Sequence, residues 1–373
     1  MKKILVLVAV IFAAISCKSS QEVALFPASD FDATIGGKQV SLYTLKAGDV
    51  YMQVTNFGAR VVGLWTPDKT GKYEDIVFGY KNIDTYLNNP GERFLGSVVG
   101  PYANRIANGK FTLDGVDYQL DLNNNGHTLH GGNVGLDMVA WDVLEATDSK
   151  LVLAYTDPDM AEGFPGNLTI KMTYSLNEKN EFRVDYEAVT DKARPVNLSH
   201  HSFFNLKGEG NGTILDNILY LNASHTTPVD SFLIPTGEIA SVEGTPFDFR
   251  KAHAIGDMIE QENQQLEFGL GYDHNWILDT AAEGLTLAAS LYEPASGRFM
   301  EVLTDQPAIQ FYCGNFFDGK SEGKYGKALK YRESVALETQ KYPDSPNHEN
   351  FPTTILRPGE TYTHVCVYRF SVK

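Results

Sequence analysis

A chain of 373 residues in which 43% are hydrophobic and 12% aromatic has enough apolar mass for a sizeable core. Its formal net charge of -16, with no basic stripe, zinc-finger spacing or phosphate-cradling glycine loop, argues against nucleic-acid and nucleotide partners. An uncharged substrate fits such a surface better.

At the start of the chain, Lys2 and Lys3 precede an apolar run from Ile4 to Ile15. That run is shorter than the roughly 20 residues of a spanning helix, so residues 1–16 read as a secretory signal. Ala14-Ile-Ser-Cys17 resembles a lipoprotein processing box. The expectation is lipidation of Cys17, a tether over residues 17–29, and an exported protein anchored in a bacterial envelope and facing the periplasm. The alternative is an ordinary cleaved signal with Cys17 lost. Cleavage would remove two lysines and no acid, making the mature chain more acidic still.

From residue 30 to 373 no linker, internal repeat or low-complexity tract interrupts the pattern, which predicts a single domain. Asp114-Gly115 between Phe111-Thr-Leu113 and Val116-Asp-Tyr118 predicts a two-residue hairpin turn, because both residue types tolerate positive φ. Leu168, Ile170, Met172, Tyr174 and Leu176 alternate with polar residues, and Phe182, Val184, Tyr186 and Ala188 repeat the pattern after the Asn177–Asn180 turn. These are two half-buried strands of one hairpin. A weak apolar face of Ile255, Met258, Ile259 and Leu266 predicts one short surface helix over about 255–266. Pro294-Ala-Ser-Gly297 offers a further turn, and Tyr362–Val372 alternates as a returning strand. Many strands and few helices predict an all-β chain, a large antiparallel β-sandwich. Cys313 and Cys366 sit in strand-like segments and read as buried hydrophobes rather than a disulfide.

Several polar residues stand where chemistry is possible. Arg105 follows Asn104 at the head of a strand, where a guanidinium can present a fork of donors to sugar hydroxyls, or else pair with an acid. His130 precedes Gly131-Gly132, whose backbone freedom predicts a tight turn with space for a ligand beside the imidazole. His200 and His201 are adjacent on a strand, so only one of them faces a common pocket. A zinc reading on His127, His130, His200 and His201 lacks the usual accompanying ligands and is disfavoured. Asp273 and Gln310 lie among aromatics, as a pyranose requires: directional partners for its hydroxyls and an aromatic surface for its C–H face. Glu338, between apolar neighbours in Leu337-Glu-Thr-Gln340, is either paired or functional.

Taken together, these segments resemble the aldose 1-epimerases, or galactose mutarotases, from about Phe31 to the C-terminus. The likeness rests on Thr66-Pro-Asp68, Tyr102-Ala-Asn-Arg-Ile106, Leu129-His-Gly-Gly132, Gly163-Phe-Pro-Gly166, His201-Ser-Phe-Phe-Asn-Leu206, Ile234-Pro-Thr-Gly237, Thr245-Pro-Phe-Asp248, Asp273-His-Asn275, Gln310-Phe-Tyr312, Gly314-Asn315 and Leu337-Glu-Thr-Gln340. The resemblance implies a galactose mutarotase-like supersandwich with an open cleft, a small-molecule aldose as substrate, and no metal or organic cofactor. It implies Glu338 as catalytic base, His201 as catalytic acid and His130 as an assisting histidine at the ring oxygen. Arg105, Asp273 and Gln310, with Asn104 as companion, would bind sugar hydroxyls. Pro101 stands where the family often has Arg, and Phe203 where Tyr is common. The charges of Glu338 and Asp273 are expected to hold His201 protonated near neutrality, with Glu338 and His201 on opposite sides of one hemiacetal. Competing expectations are a non-catalytic carbohydrate-binding protein and a glycoside hydrolase using Asp273 with Glu338.

Overall fold

The computed structural model describes residues 23–88, 91–280 and 284–373. The expected signal segment and Cys17 lie outside the described residues. The body of the protein is already fastened at Phe26, whose N–H donates to Gln53 Oε1 at 2.9 Å while Gln53 Nε2 donates back to its carbonyl at 3.0 Å.

Alternating sequence becomes antiparallel sheet, because side chains on a strand point to opposite faces at period two. Nine strands form the larger sheet, in the spatial order Asp142–Ala146, Lys150–Asp157, Leu168–Leu176, Glu181–Thr190, Tyr362–Val372, Arg298–Thr304, Thr286–Tyr292, Ile218–Leu221 and His253–Ala254. The expected hairpin supplies its third and fourth strands, and the last strand of the chain is its central one, pairing with Glu181–Thr190 on one side and Arg298–Thr304 on the other. A six-stranded sheet runs Phe203–Phe204, Val335–Gln340, Ala308–Tyr312, Asp273–Leu278, Ala223–Thr227, Ala240–Ser241. Between the two sheets, Ile170, Met172, Phe182 and Val184 join Trp276, Phe311 and Leu337 in one buried cluster. A four-stranded sheet from Leu42–Ala47 to Tyr73–Asp75 adds Met52, Val54 and Val61 to that core.

Asp114 and Gly115 take φ of 52° and 79° and join the strands Lys110–Leu113 and Val116–Gln119. Cys313 and Cys366 are both buried and free. The single helix expected over 255–266 is absent as such. A 3-10 turn covers Ile255–Asp257 and a separate α-helix covers Gln264–Gly269. Two local interactions divide them: Gly256 N–H donates to Leu215 O at 2.7 Å, and Asn263 caps the second helix by accepting from Gln265 N–H. An α-helix at Ile83–Asn88, which the apolar pattern did not signal, begins at Asn82, whose side chain accepts from the Thr85 amide.

Candidate active site

One face of the six-stranded sheet is apolar and buried in the core; the other is polar and lines a cleft. Register explains the polar row: Glu338 pairs with Gln310, and Gln310 with Asn275 on the next strand. Because alternation is strict, Leu337 and Phe311 go to the core while Glu338 and Gln310 go to the opposite face, where Glu338 lines the cleft and Gln310 lies buried behind Asp273 outside the cleft wall. Two hydrogen bonds lock this face, Gln310 Nε2 to Asp273 Oδ1 at 2.7 Å and Gln340 Nε2 to Asn275 Oδ1 at 3.0 Å. Arg105 approaches from outside the sheet, its Nη2 3.9 Å from Asp273 Oδ2, a loose pairing that leaves donors and acceptors for a ligand.

His201 ends the short strand Ser199–His201, which pairs with Ser97–Val99. Its neighbour His200 points into the core beside Tyr174 and Phe182, with Nε2 against Ser202 Oγ at 2.7 Å. The alternation therefore selects His201 for the cleft, where its Nε2 lies 3.3 Å from Glu338 Oε1. The ring nitrogens of His130 and His201 and a Glu338 oxygen all fall within 4.8 Å of one another. His127 is apart from this cluster: its Nδ1 accepts from Asn108 N–H and its ring meets Phe232.

His130 is held in one tautomer. Asn104 N–H donates to its Nδ1 at 3.0 Å, so the ring proton sits on Nε2 and points outward as a neutral donor. Burial, with the charges of Arg105 and Arg93, keeps that imidazole uncharged by pushing its pKa well below the ordinary value. A ring already accepting at Nδ1 and protonated at Nε2 has no lone pair for a metal, so the trio is a poor cation site. The conformation needs positive φ at His130 (51°), Gly131 (92°) and Gly132 (99°). At Gly131 a Cβ would stand 2.0 Å from Gly100 O. The space beside Gly131 is thus filled by backbone, while the expected space beside the imidazole is present, since His130 lines the cleft.

Two further expectations are corrected by burial and distance. Glu338 and His201 are too close to flank a sugar from opposite sides. They stand side by side, which suits a hemiacetal, since its hydroxyl and ring oxygen share one carbon. Nor is His201 held protonated: burial pushes it down to about 3, and the Arg60 charge adds to that. Burial and then the Asp273 carboxylate push Glu338 well above the usual range, against the pull of Arg105. Burial thus disfavours the charged form of both groups, His201 by lowering its pKa and Glu338 by raising it.

The cleft has a volume of about 430 Å3 and includes Asn104, Arg105, His130, His201, Asp273 and Glu338 in its wall. Aromatics complete it. Phe94 sets its edge to His130 at 4.7 Å and stacks on His201 at 6.1 Å, and Phe203 touches His201 at 4.6 Å. Arg93 lies over the Phe94 ring and is clamped by Asp137 through Nε at 2.6 Å and Nη2 at 2.7 Å. Sequence reading missed Phe94, Arg93 and Asp137, because no periodic or local signal links positions 93 and 137. Among the described residues, Glu338 Oε2 and Gln310 Oε1 are buried with no protein partner. The orphaned acceptor of Glu338, in the cleft wall, is one that a polyhydroxylated ligand would satisfy.

A family model described as aldose 1-epimerase matches residues 41–369. The galactose mutarotase of Rattus norvegicus is 39% identical over 337 residues, covering 90% of this chain and 96% of that protein. The aldose 1-epimerase of Escherichia coli (strain K12) is 34% identical over 338 residues, again covering 90% and 96%. Among solved structures, the GalM/aldose epimerase homologue from C. elegans superposes with a TM-score of 0.82 at 29% identity, covering 89% of this chain and 99% of that one.

Proposed function

The chain belongs to the aldose 1-epimerase family, and from that premise we propose that Glu338 and His201 interconvert the α and β anomers of aldohexoses such as glucose and galactose. The enzyme is a mutarotase, opening and reclosing the hemiacetal ring. The observation that carries the residue assignment is the 3.3 Å approach of His201 Nε2 to Glu338 Oε1 in a cleft also lined by Asn104, Arg105 and Asp273.

Proton accounting supports this reading. The pair holds one proton, and ring opening takes one from the C1 hydroxyl and returns one to the ring oxygen, so the pair's total is unchanged. A C1 hydroxyl donating to the orphaned Oε2 of Glu338 stabilises the carboxylate, and the shared proton passes to His201 Nε2. Glu338 then removes the hydroxyl proton while His201 protonates O5, and the C1–O5 bond breaks to give the aldehyde. The fixed Nε2–H of His130 offers a neutral hydrogen bond to the charge developing on O5. Rotation about C1–C2 and reclosure with reversed proton roles gives the other anomer. Arg105, Asp273 and Gln310 fix the remaining hydroxyls, with Asn104 setting both the His130 tautomer and, through Oδ1, the Arg105 amide at 2.9 Å.

Export and a lipid anchor at Cys17 are part of the same reading, supported by Lys2, Lys3, the apolar run to Ile15 and the box ending at Cys17. Polarimetry of freshly dissolved α-D-glucose and α-D-galactose tests the activity. A wild-type protein that leaves anomer exchange at its spontaneous rate with every common aldose would refute it.

A further inference from the structure

Arg105 sits on a strand of two residues, Arg105–Ile106, with left-handed backbone on either side at Asn104 (φ 64°) and Asn108 (φ 53°). One edge of that strand pairs with Thr128–Leu129, and Asn104 and His130 exchange hydrogen bonds that continue the pairing. So short a pair does not hold itself in place. The opposite edge is fastened by Asp344, whose N–H donates to Arg105 O at 2.9 Å and whose Oδ1 accepts from the Ala107 N–H at 2.9 Å. One residue thus clasps the backbone on both sides of Ile106. We infer that Asp344 is a positioning residue for the reaction, fixing the Arg105 guanidinium relative to the strand of the base so that the arginine meets a sugar hydroxyl. The inference rests on the reading of Arg105 as a hydroxyl ligand.

Connectivity is the first support. Asp344 lies in the turn that follows Val335–Gln340, so the clasp joins the segment carrying the arginine to the strand carrying Glu338. Its own backbone is left-handed (φ 55°), a conformation aspartate tolerates, and this lets N–H and carboxylate serve the same segment. Burial is the second. Asp344 is 2% exposed and, unlike Arg105, is not among the described residues of the cleft wall. The desolvation of that carboxylate is offset by its partners, since Oδ1 also accepts from Asn347 Nδ2 at 2.6 Å and Oδ2 lies 3.2 Å from His348 Nε2. The third is how loosely the arginine's own side chain is held. Arg105 Nη2 stands 3.9 Å from Asp273 Oδ2, beyond hydrogen-bond length, and among the described residues its Nε has no partner. Placement of the guanidinium therefore falls to the backbone that Asp344 fixes. Other ties hold the turn itself: the Tyr102 hydroxyl donates to Tyr342 O and accepts from the Ser345 N–H, both at 3.1 Å, and the Asn197 amide joins Ala103 O to the Lys341 N–H. A change at Asp344 loosens Arg105 without releasing the turn.

Acting through Arg105, Asp344 should govern KM and leave kcat alone. Asp344→Gly keeps the left-handed backbone and removes the acceptor of the Ala107 amide, whereas Asp344→Asn keeps both. By polarimetry with α-D-glucose, Asp344→Gly should raise KM about threefold to tenfold, the worth of one hydrogen bond, with kcat within about twofold of wild type. Asp344→Asn should restore KM. In an Arg105→Met background Asp344→Gly should add nothing to KM, while a general structural defect would add in full. Should Asp344→Gly not fold, Asp344→Ser, too short to reach the Ala107 amide, carries the same expectations. An unchanged KM in the folded variant, a loss confined to kcat, a KM that Asp344→Asn fails to restore, or an effect undiminished beside Arg105→Met would overturn the positioning role. Calorimetry of glucose binding separates that role from the reaction. Weaker binding in Asp344→Gly that Asp344→Asn restores, in a protein that turns over no aldose, would uphold the clasp and remove the mutarotase reading.

Discussion

Replacing Glu338 by Gln separates what the site does for catalysis from what it costs the fold. The side chain is 2% exposed, and Gln keeps its shape while removing both the base and the titratable proton. A positioned acid or base is worth roughly 10²–10⁴ in rate, so kcat for α-D-glucose should fall by that factor, about 2.7–5.5 kcal/mol of barrier. Stability should move the other way, and only at higher pH. Burial raises the folded pKa of Glu338 above its unfolded value of about 4.3. Between those two values the native state keeps a proton that the unfolded chain has released, so the Glu338 contribution to stability falls as pH rises through this window, opposite in sign to that of the buried histidines. Each unit of displacement costs about 1.36 kcal/mol once the unfolded carboxyl is ionised. The amide has no such cost. The variant should therefore match wild type in thermal unfolding at pH 4 and exceed it at pH 8. A variant that retains activity within tenfold of wild type would end the case for Glu338 as base. A Tm deficit of equal size at both pH values would show that desolvation does not set its pKa.

Other outcomes follow from the same geometry. His201→Asn should also lower kcat by roughly 10²–10⁴ with little change in KM, since it removes proton transfer and leaves Arg105, Asp273 and Gln310 to bind sugar; progress curves by polarimetry read both. Arg105→Met should raise KM for glucose and galactose by about tenfold to a hundredfold, as expected from losing charged hydrogen bonds of about 1.5–3 kcal/mol. Wild-type stability should fall as pH drops below about 6.5, because burial pushes His200, His201 and His274 down to about 3 and His364 to about 4, so the unfolded chain binds protons that the native state refuses. Calorimetric melts at pH 7 and pH 5 check this, and an unchanged Tm would refute it. Cys17→Ser should move the protein from the membrane fraction to the soluble fraction of cells expressing the full chain, as immunoblotting would show.

Most of the sheet was legible in the sequence because it depends on local alternation. Residues 168–188 and 362–372 carry their pattern openly, and Asp114-Gly115 declares its turn. The helix over 255–266 was misread because apolar spacing there is weak and two short-range polar interactions, at Gly256 and Asn263, decide the backbone. The helix Ile83–Asn88 has a readable cap at Asn82, but six residues give too little periodicity to announce it.

For the site, sequence alone determined that His200 and His201 must diverge, that Glu338 must face away from Leu337, and that the ordered motifs around Arg105, Asp273 and Gln310 resemble one family. Those facts depend on the period of a strand and on residue identity, which need no third dimension. Tertiary structure alone decided that Glu338 and His201 stand side by side at 3.3 Å, that Phe94 and the Asp137-clamped Arg93 brace the imidazoles, and that burial pushes the two pKa values in the directions that disfavour charge. Distance and desolvation arise from segments far apart in the chain closing on one another, and pKa values follow from the water those segments exclude.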